Sequence, residues 1–393
     1  MDYLLNRAWA EINLDRIAHN MREIRRITKK EAEILGVVKA DAYGHGVMEV
    51  SRTILRNGAD RLAVSMLDEA IQLRKNGIDV PILVLGYTDP RRAREIISYG
   101  ITQTVFSHDL ANALSEAAVK MGKSAFIHIK IDTGMGRIGF APGYAAVKDV
   151  VRISKLPKII IEGLFTHFAS ADETDRSYTV MQFERYMSII SELQRIGIYI
   201  PIKHVANSAG MIEYPEMHLD MVRPGIAIYG YYPSDEVHKS KIDLKPAMTL
   251  KANVTHVKTV DPGSCISYGR IFKTGRESRI ATIPIGYADG YSRLLTGKAN
   301  VLINGEVAPV VGKICMDQCM VDVTCIKSDV RPGDEVVLFG KQGDTEITVE
   351  DVASRIGTIN YEIVCIVGKR IPRVYIQDEK VAGVLNYLID EAL

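Results

Sequence analysis

The sequence predicts an α/β protein: a (β/α)8 TIM-type barrel followed by a mainly β C-terminal domain. Three observations predict it. Between residues 34 and 230, short runs rich in Val, Ile and Leu alternate with amphipathic stretches, the pattern of repeated βα units around a parallel sheet. The runs number eight, which is the count that closes a barrel. Past residue 240 the texture changes to period-two alternation broken by Gly, Asn and Pro, as expected of antiparallel strands.

In chain order the predicted barrel strands are GVVKA (36–40), LAVSM (62–66), ILVLG (82–86), TQTVF (102–106), FIHIKID (126–132), IIEGLFTH (160–167), PIKHVAN (201–207) and MVRPGIAIY (221–229). Between them, VMEVSRTILRNGA (47–59), LDEAIQLRKNG (67–77) and MQFERYMSIISELQRIG (181–197) carry apolar residues at helical spacing and end at Gly. An open doubly wound sheet would also alternate strand and helix, but no G-x-G-x-x-G turn follows the first strand. The later segments LKANVTHVKTV, RIATIPIGYADGY, ANVLINGEVAPVVGKI, MVDVTCI and DEVVLFG read as strands. The charged stretch SDEVHKSKIDLKP (234–246) marks the boundary, giving a barrel over 1–240 and a β domain over 241–393.

Composition narrows the function classes. A chain of 393 residues exceeds what one core usually organises, and 47% hydrophobic with 25% charged residues is near the globular average. The formal charge of +1, from 49 basic and 48 acidic residues, leaves no global field to attract nucleic acid or an anionic membrane, so neither partner is expected. The N-terminal MDYLLNRAWAEINLDR lacks the apolar run of a secretory signal and no window approaches a membrane span, so a cytoplasmic protein is expected. All five cysteines fall in the last third without C-x-x-C spacing, which favours reduced thiols and no metal site.

Barrel active sites lie at the C-terminal ends of the strands, so the polar residues there are the candidates. The first strand delivers Lys39 into the loop of VVKADAYGHG (37–46). Burial would lower its pKa and leave a neutral amine able to attack an aldehyde; a solvated strand-end lysine is the other reading. The fifth strand ends at Lys130 and Asp132 before the glycine-rich TGMGRIG, which carries Arg137. The sixth ends at His167, the seventh leads into Asn207 and Ser208, and the eighth places Arg223 before Pro224, Gly225 and Ile226. Each alone is as well explained by a hydrogen-bonded histidine, a salt bridge or a turn. Together they set a lysine, an imidazole, two guanidinium groups and flexible backbone N–H donors suited to a phosphate around one barrel mouth.

At these residues the sequence resembles the alanine racemase family, and the resemblance spans essentially the whole chain. It rests on ordered blocks: AWAEINLDRIAHN (8–20), VVKADAYGHG, KIDTGMGRIGF (130–140), GLFTHFASAD (163–172), HVANSAG (204–210), MVRPGIAIYG (221–230), SYGR (267–270), PIGYADGYSR (284–293), GKICMDQCMVDVT (312–324) and GTINYEIVC (357–365). The resemblance implies a pyridoxal 5'-phosphate enzyme interconverting L-alanine and D-alanine, a source of D-alanine for peptidoglycan. Lys39 would carry the cofactor and act as the base on the D-alanine side, with Tyr268 as the opposite base. Two bases suit a racemisation, which removes a proton from one face and returns it to the other. Tyr268 would come from a partner subunit, so the resemblance also implies a head-to-tail homodimer with shared active sites.

It further implies that Arg223 faces the pyridine nitrogen and that Arg137 lies by the phenolic oxygen and the substrate carboxylate. Tyr43, Ser208, Gly225, Ile226 and Tyr361 would hold the phosphate, with His167 and Asn207 completing the cofactor site. His167, Arg223 and His204 would tune Tyr268, whose ordinary pKa is near ~10. Met316 and Asp317 would close the substrate pocket from the partner, and Lys130 matches a position often carbamylated. Alternatives on the same plan are a serine or broader amino-acid racemase, a decarboxylase, which would be expected to have an acidic residue in place of Arg223, and a short noncatalytic carrier of the cofactor.

Overall fold

The computed structural model describes residues 7–390. Two compact units compose the chain. One comprises Arg16–Ala42 and Val47–Pro246; the other comprises residues 7–15, Tyr43–Gly46 and residues 247–390.

The first strand, β1 (Ala8–Asn13), precedes eight parallel strands: β2 (Glu33–Val37), β3 (Arg61–Val64), β4 (Ile82–Val84), β5 (Thr102–Val105), β6 (Ala125–Lys130), β7 (Ile159–Phe165), β8 (Ile202–His204) and β9 (Met221–Val222). These pair in sequence order from β2 to β8, and β9 returns to pair with β2. Backbone bonds from Asp220 N–H to Lys203 O (3.1 Å) and from Arg223 N–H to Ala206 O (2.9 Å) tie β9 to the end of β8 and complete the ring. Each of the eight predicted runs overlaps one of these strands. The last is much shorter than MVRPGIAIY, because Pro224 has no N–H and restricts the residue before it; Ile226–Tyr229 instead forms a tight helical turn. Arg223 therefore sits one residue past a strand end.

Helices Val47–Arg56, Leu67–Lys75 and Ser177–Arg195 occupy the stretches predicted for them. His108–Met121 shows the local rules plainly: Ser107 accepts the Leu110 N–H at its start, and Gly122 at φ 66° ends it in the left-handed conformation. One register shift matters for the site. Between Ile127 and His128 the β6–β7 ladder slips, setting His128 opposite Gly163.

In the other unit, β1 lies between two strands of the C-terminal sheet, antiparallel to Met248–Asn253 and parallel to Arg373–Gln377. Residues 8–13, counted with the barrel by a boundary at 240, thus supply an inner strand of the β unit. The rest of that sheet runs through Glu335–Gln342, Asn300–Ile303, Glu306–Val311, Cys319–Asp322, Ser278–Ile283 and His256–Val260. Tyr43–Gly46 belongs here as well: the Arg373 Nε–H donates to Gly44 O at 2.9 Å. Glycine is required at both ends of that contact, since a Cβ on Gly44 would lie 2.4 Å from Val364 O and one on Gly46 1.9 Å from the Tyr375 hydroxyl.

Candidate active site

Lys39 lies two residues past β2 and opens a left-handed helical turn. Ala40, Asp41 and Ala42 have φ between 52° and 55°, and Tyr43 has φ 53°. L-residues are disfavoured there because Cβ approaches the following carbonyl oxygen, at roughly 1–2 kcal/mol each. Specific bonds hold the turn: Ala40 N–H to Glu69 Oε1 (2.6 Å), Val47 N–H to Asp41 Oδ1 (2.9 Å) and Ala42 N–H to Val38 O (2.9 Å). The loop expected after the first strand is thus a defined turn that fixes where the lysine starts.

Lys130 ends β6, buried, and its Nζ makes no hydrogen bond to the described residues. The amine lies over the Phe165 ring, 4.7 Å from its centroid. Burial first, then the Arg223 and Arg137 charges, push its pKa well below the ordinary lysine value. Two residues on, Asp132 accepts the backbone N–H groups of Gly134 (3.0 Å), Gly136 (3.0 Å) and Arg137 (3.1 Å). That carboxylate organises the glycine-rich turn, and Arg137 is presented exposed, with no side-chain hydrogen bond to the described residues.

Arg223 is 3% exposed and makes four hydrogen bonds in the site. Its Nη1 donates to His204 Nδ1 (3.0 Å), and its Nη2 is shared among Thr166 O (2.9 Å), Val205 O (2.9 Å) and His167 Nδ1 (3.2 Å). None of these bonds uses its Nε–H, which is left unspent among the described residues. Burial pushes Arg223 down to about 10, still protonated at neutral pH. The imidazoles respond oppositely. Burial, followed by Arg223, drives both His167 and His204 well below 6.5, and Lys130, Arg137 and Lys39 add to the effect at His167. The side chains of the first, fifth, sixth and eighth strand ends therefore act on one another in a single cationic mouth.

Ser208 begins the short helix Ser208–Glu213 and its hydroxyl accepts the N–H of Gly225 at 2.9 Å, joining the seventh and eighth strand ends. Asn207 caps that helix through Gly210 N–H (2.9 Å), so its carbonyl oxygen is already engaged. Ile226 is buried beside them.

The remaining predicted residues lie in the β unit. Tyr43 and Tyr361 stand with ring centroids 6.3 Å apart, and burial raises the Tyr43 pKa, keeping it a neutral hydroxyl donor. Tyr268 is 71% exposed, on a turn where Ser267 (φ 66°) and Arg270 (φ 51°) are left-handed. That turn adjoins the one bearing Met316: Ser267 Oγ donates to Lys313 O at 2.6 Å. Met316 is itself 52% exposed, and Asp317 pairs with Arg370 at 2.6 Å.

Three residues outside the predicted set, His128, Glu162 and Arg61, join the network. His128 Nδ1 meets His204 Nε2 at 2.8 Å, His128 Nε2 meets Glu162 Oε2 at 3.2 Å, and Glu162 Oε1 accepts from Arg61 at 2.8 Å. Strand alternation was the available signal, since His128 and Lys130 are two apart in FIHIKID and share a face. Among the described residues, no group of three or more His, Cys, Asp or Glu could hold a metal ion.

Comparison with known proteins follows the same residues. Residues 12–233 match the family described as alanine racemase, N-terminal domain, and residues 247–375 match alanine racemase, C-terminal domain. The chain is 55% identical over 380 residues to alanine racemase 1 of Clostridium acetobutylicum, covering 97% of this chain and 98% of that protein. It resembles the structure of an alanine racemase of Clostridium difficile 630 with a TM-score of 0.94 at 45% identity, covering 98% and 99% of the two chains. A histidine racemase from Leuconostoc mesenteroides subsp. sake is similar too, with a TM-score of 0.88 at 31% identity over 95% of this chain and 99% of that one.

Proposed function

This chain belongs to the alanine racemase family, and from that premise we propose that it interconverts L- and D-alanine with pyridoxal 5'-phosphate as cofactor and Lys39 and Tyr268 as opposed bases. The observation that carries the reading is Arg223, a buried guanidinium held between two neutral imidazoles with its Nε–H unspent. That donor set fits the cofactor: the lysine for its aldehyde, a guanidinium for its ring nitrogen, and a cationic mouth for its phosphate. When bound, the cofactor supplies an electron-withdrawing ring that acidifies the substrate's α-hydrogen.

The chain's own residues do the rest. Lys39 would anchor the cofactor and, freed by substrate, move the proton on the D-alanine face. Arg223 would meet the ring nitrogen with a hydrogen-bond donor, which leaves that nitrogen unprotonated and the ring a modest electron sink. Ser208, Gly225 and Ile226 would hold the phosphate with Tyr43 and Tyr361, and Asn207 would keep the Ser208 backbone in place. Arg137, with no side-chain hydrogen bond to the described residues, would take the substrate carboxylate. His167, neutral, would pass the Arg223 charge towards Tyr268 without itself becoming protonated, while His204, whose ring nitrogens meet Arg223 and His128, would hold the guanidinium in place.

Tyr268, Met316 and Asp317 would complete the site of a second copy of the chain in a head-to-tail homodimer. The exposure of Tyr268 and Met316 on adjoining turns supports this, since large side chains displayed together commonly mark an interface. Lys130 is proposed as a site of carbamylation: its buried Nζ, which burial shifts towards the neutral amine, forms a bond to the carbon of CO2 and releases a proton, and the resulting carboxylate gives Arg137 an anionic partner. The product D-alanine is assigned to peptidoglycan synthesis and the protein to the cytoplasm; no helix among the described residues is long and apolar enough to cross a membrane.

A wider substrate range is the second reading, favoured by the similarity to a histidine racemase on the same fold. A coupled assay for the D-enantiomer, run with L-alanine, L-serine and L-histidine, separates the two. Alanine is expected to be turned over fastest; a higher kcat/KM for serine or histidine would contradict the alanine assignment. Replacing Tyr268 by Phe is expected to suppress α-proton exchange from L-alanine far more than from D-alanine, and equal loss from both would refute the opposed bases.

A further inference from the structure

Beneath the mouth, a line of ionisable groups leads away from Arg223, and its members beyond His204 have no part in the reaction as proposed. It runs from Arg223 through His204 and His128 to Glu162 and ends at Arg61, which also pairs with Glu33 at 2.6 Å. His204 is 0% and His128 1% exposed, so no bulk water offers either ring another partner. Neither ring has room to turn: His204 stacks on Phe165 (centroids 4.7 Å apart, planes 7° apart), and His128 fills the space where a Cβ on Gly163 would lie, 2.4 Å from its Nδ1.

The direction of every bond in this line follows from its ends. A guanidinium can only donate, so His204 Nδ1 accepts from Arg223 and a neutral His204 carries its hydrogen on Nε2. An ionised carboxylate can only accept, so His128 donates from Nε2 to Glu162 and a neutral His128 accepts at Nδ1. The two deductions meet at the central bond and agree: His204 Nε2–H donates to His128 Nδ1. A second proton on either ring would set donor against donor. The charge states are consistent with this. Burial opposes ionisation of Glu162, but the bonds from His128 and Arg61 outweigh it and hold its carboxyl at about 2, while burial keeps both imidazoles neutral.

We propose that Glu162 is a positioning residue for Arg223: acting through His128 and His204, it fixes both rings as Nε2–H tautomers and keeps His204 Nδ1 an acceptor for the guanidinium. Its consequence for catalysis rests on the role proposed for Arg223; the tautomers do not. Glutamine at 162 would turn its carbonyl to Arg61 and its NH2 to His128. His128 Nε2 must then accept, its hydrogen moves to Nδ1, His204 must accept at Nε2, and a His204 Nδ1–H ends up facing the Arg223 N–H. The relay inverts and collides at the guanidinium. Aspartate keeps the acceptors and the sense of the relay.

Neutron diffraction from deuterium-exchanged crystals of the full-length holoenzyme tests the first half. Deuterium is expected on Nε2 of His128 and of His204, and on neither Nδ1; deuterium on either Nδ1 overturns the proposal, whatever any variant does. Steady-state kinetics with alanine tests the second half. For Glu162→Gln, kcat should fall about tenfold or more, the scale of one hydrogen bond to a charged group, with KM changed far less, and Glu162→Asp should retain most of the activity. Unchanged kcat in Glu162→Gln, or equal losses in the two variants, would overturn the positioning role. Wild-type protein that shows the expected tautomers but does not racemise alanine would refute the function proposed above and leave the relay standing.

Discussion

At the scale of single residues, the site is governed by what burial does to charge. Three histidines, His128, His167 and His204, are each pushed below the ordinary imidazole value, first by burial, and Arg223 adds to it in each. The stability consequence has a definite sign. As pH falls through about 6.5, imidazoles of the unfolded chain take up protons that the folded ones refuse, so the unfolded state binds more protons and folding weakens. Glu162 acts in a lower window, where its stabilisation is lost as pH drops from 4.5 towards 2. Urea unfolding midpoints are therefore expected to decline between pH 7 and pH 5, and a His204→Gln variant, though less stable at pH 7, should show a shallower decline. A variant slope as steep as wild type would show that His204 does not refuse the proton. The sequence disclosed the strand-end residues of this network, including Lys39, Lys130, His167 and Arg223, because barrel chemistry is expected there. His128 and Glu162 were passed over because they lie mid-strand, where polar residues usually end up in packing roles.

The elements were legible to the degree that periodicity controls them. All eight barrel strands overlap the runs read from the sequence, and the stop signals Asn-Gly and Gly fall where helices end. Two features were not legible because local propensity argues against them. Four consecutive non-glycine residues, Ala40 to Tyr43, take up left-handed conformations that each disfavours; the turn exists because Glu69, Asp41 and Val38 satisfy its backbone. Likewise nothing local in AWAEIN assigns it to the β unit; only pairing with segments more than 230 residues away does. The turn yields a sharp prediction. Glycine in place of Ala40 costs about 1 kcal/mol in a right-handed helix, but here the relieved left-handed strain offsets the loss of chain stiffness. Ala40→Gly should leave the urea midpoint unchanged or raise it, and a drop matching the helical cost would contradict the turn.

On the scale of the whole molecule, the fold by itself does not choose the substrate, since a histidine racemase shares it. What the account requires is that two chains share each site, with Lys39 from one and Tyr268 from the other. Subunit mixing tests this most directly. Lys39→Ala and Tyr268→Phe proteins are each expected to be nearly inactive in forming D-alanine from L-alanine. Unfolded together, refolded and reloaded with cofactor, they should assort so that half the dimers are hybrids, each with one site holding both an intact lysine and an intact tyrosine. Activity should then return to about a quarter of the wild-type value, as expected for random assortment in a two-fold dimer. A mixture no more active than its two components would mean that Lys39 and Tyr268 do not meet across subunits, and the two-base, two-chain account would fall.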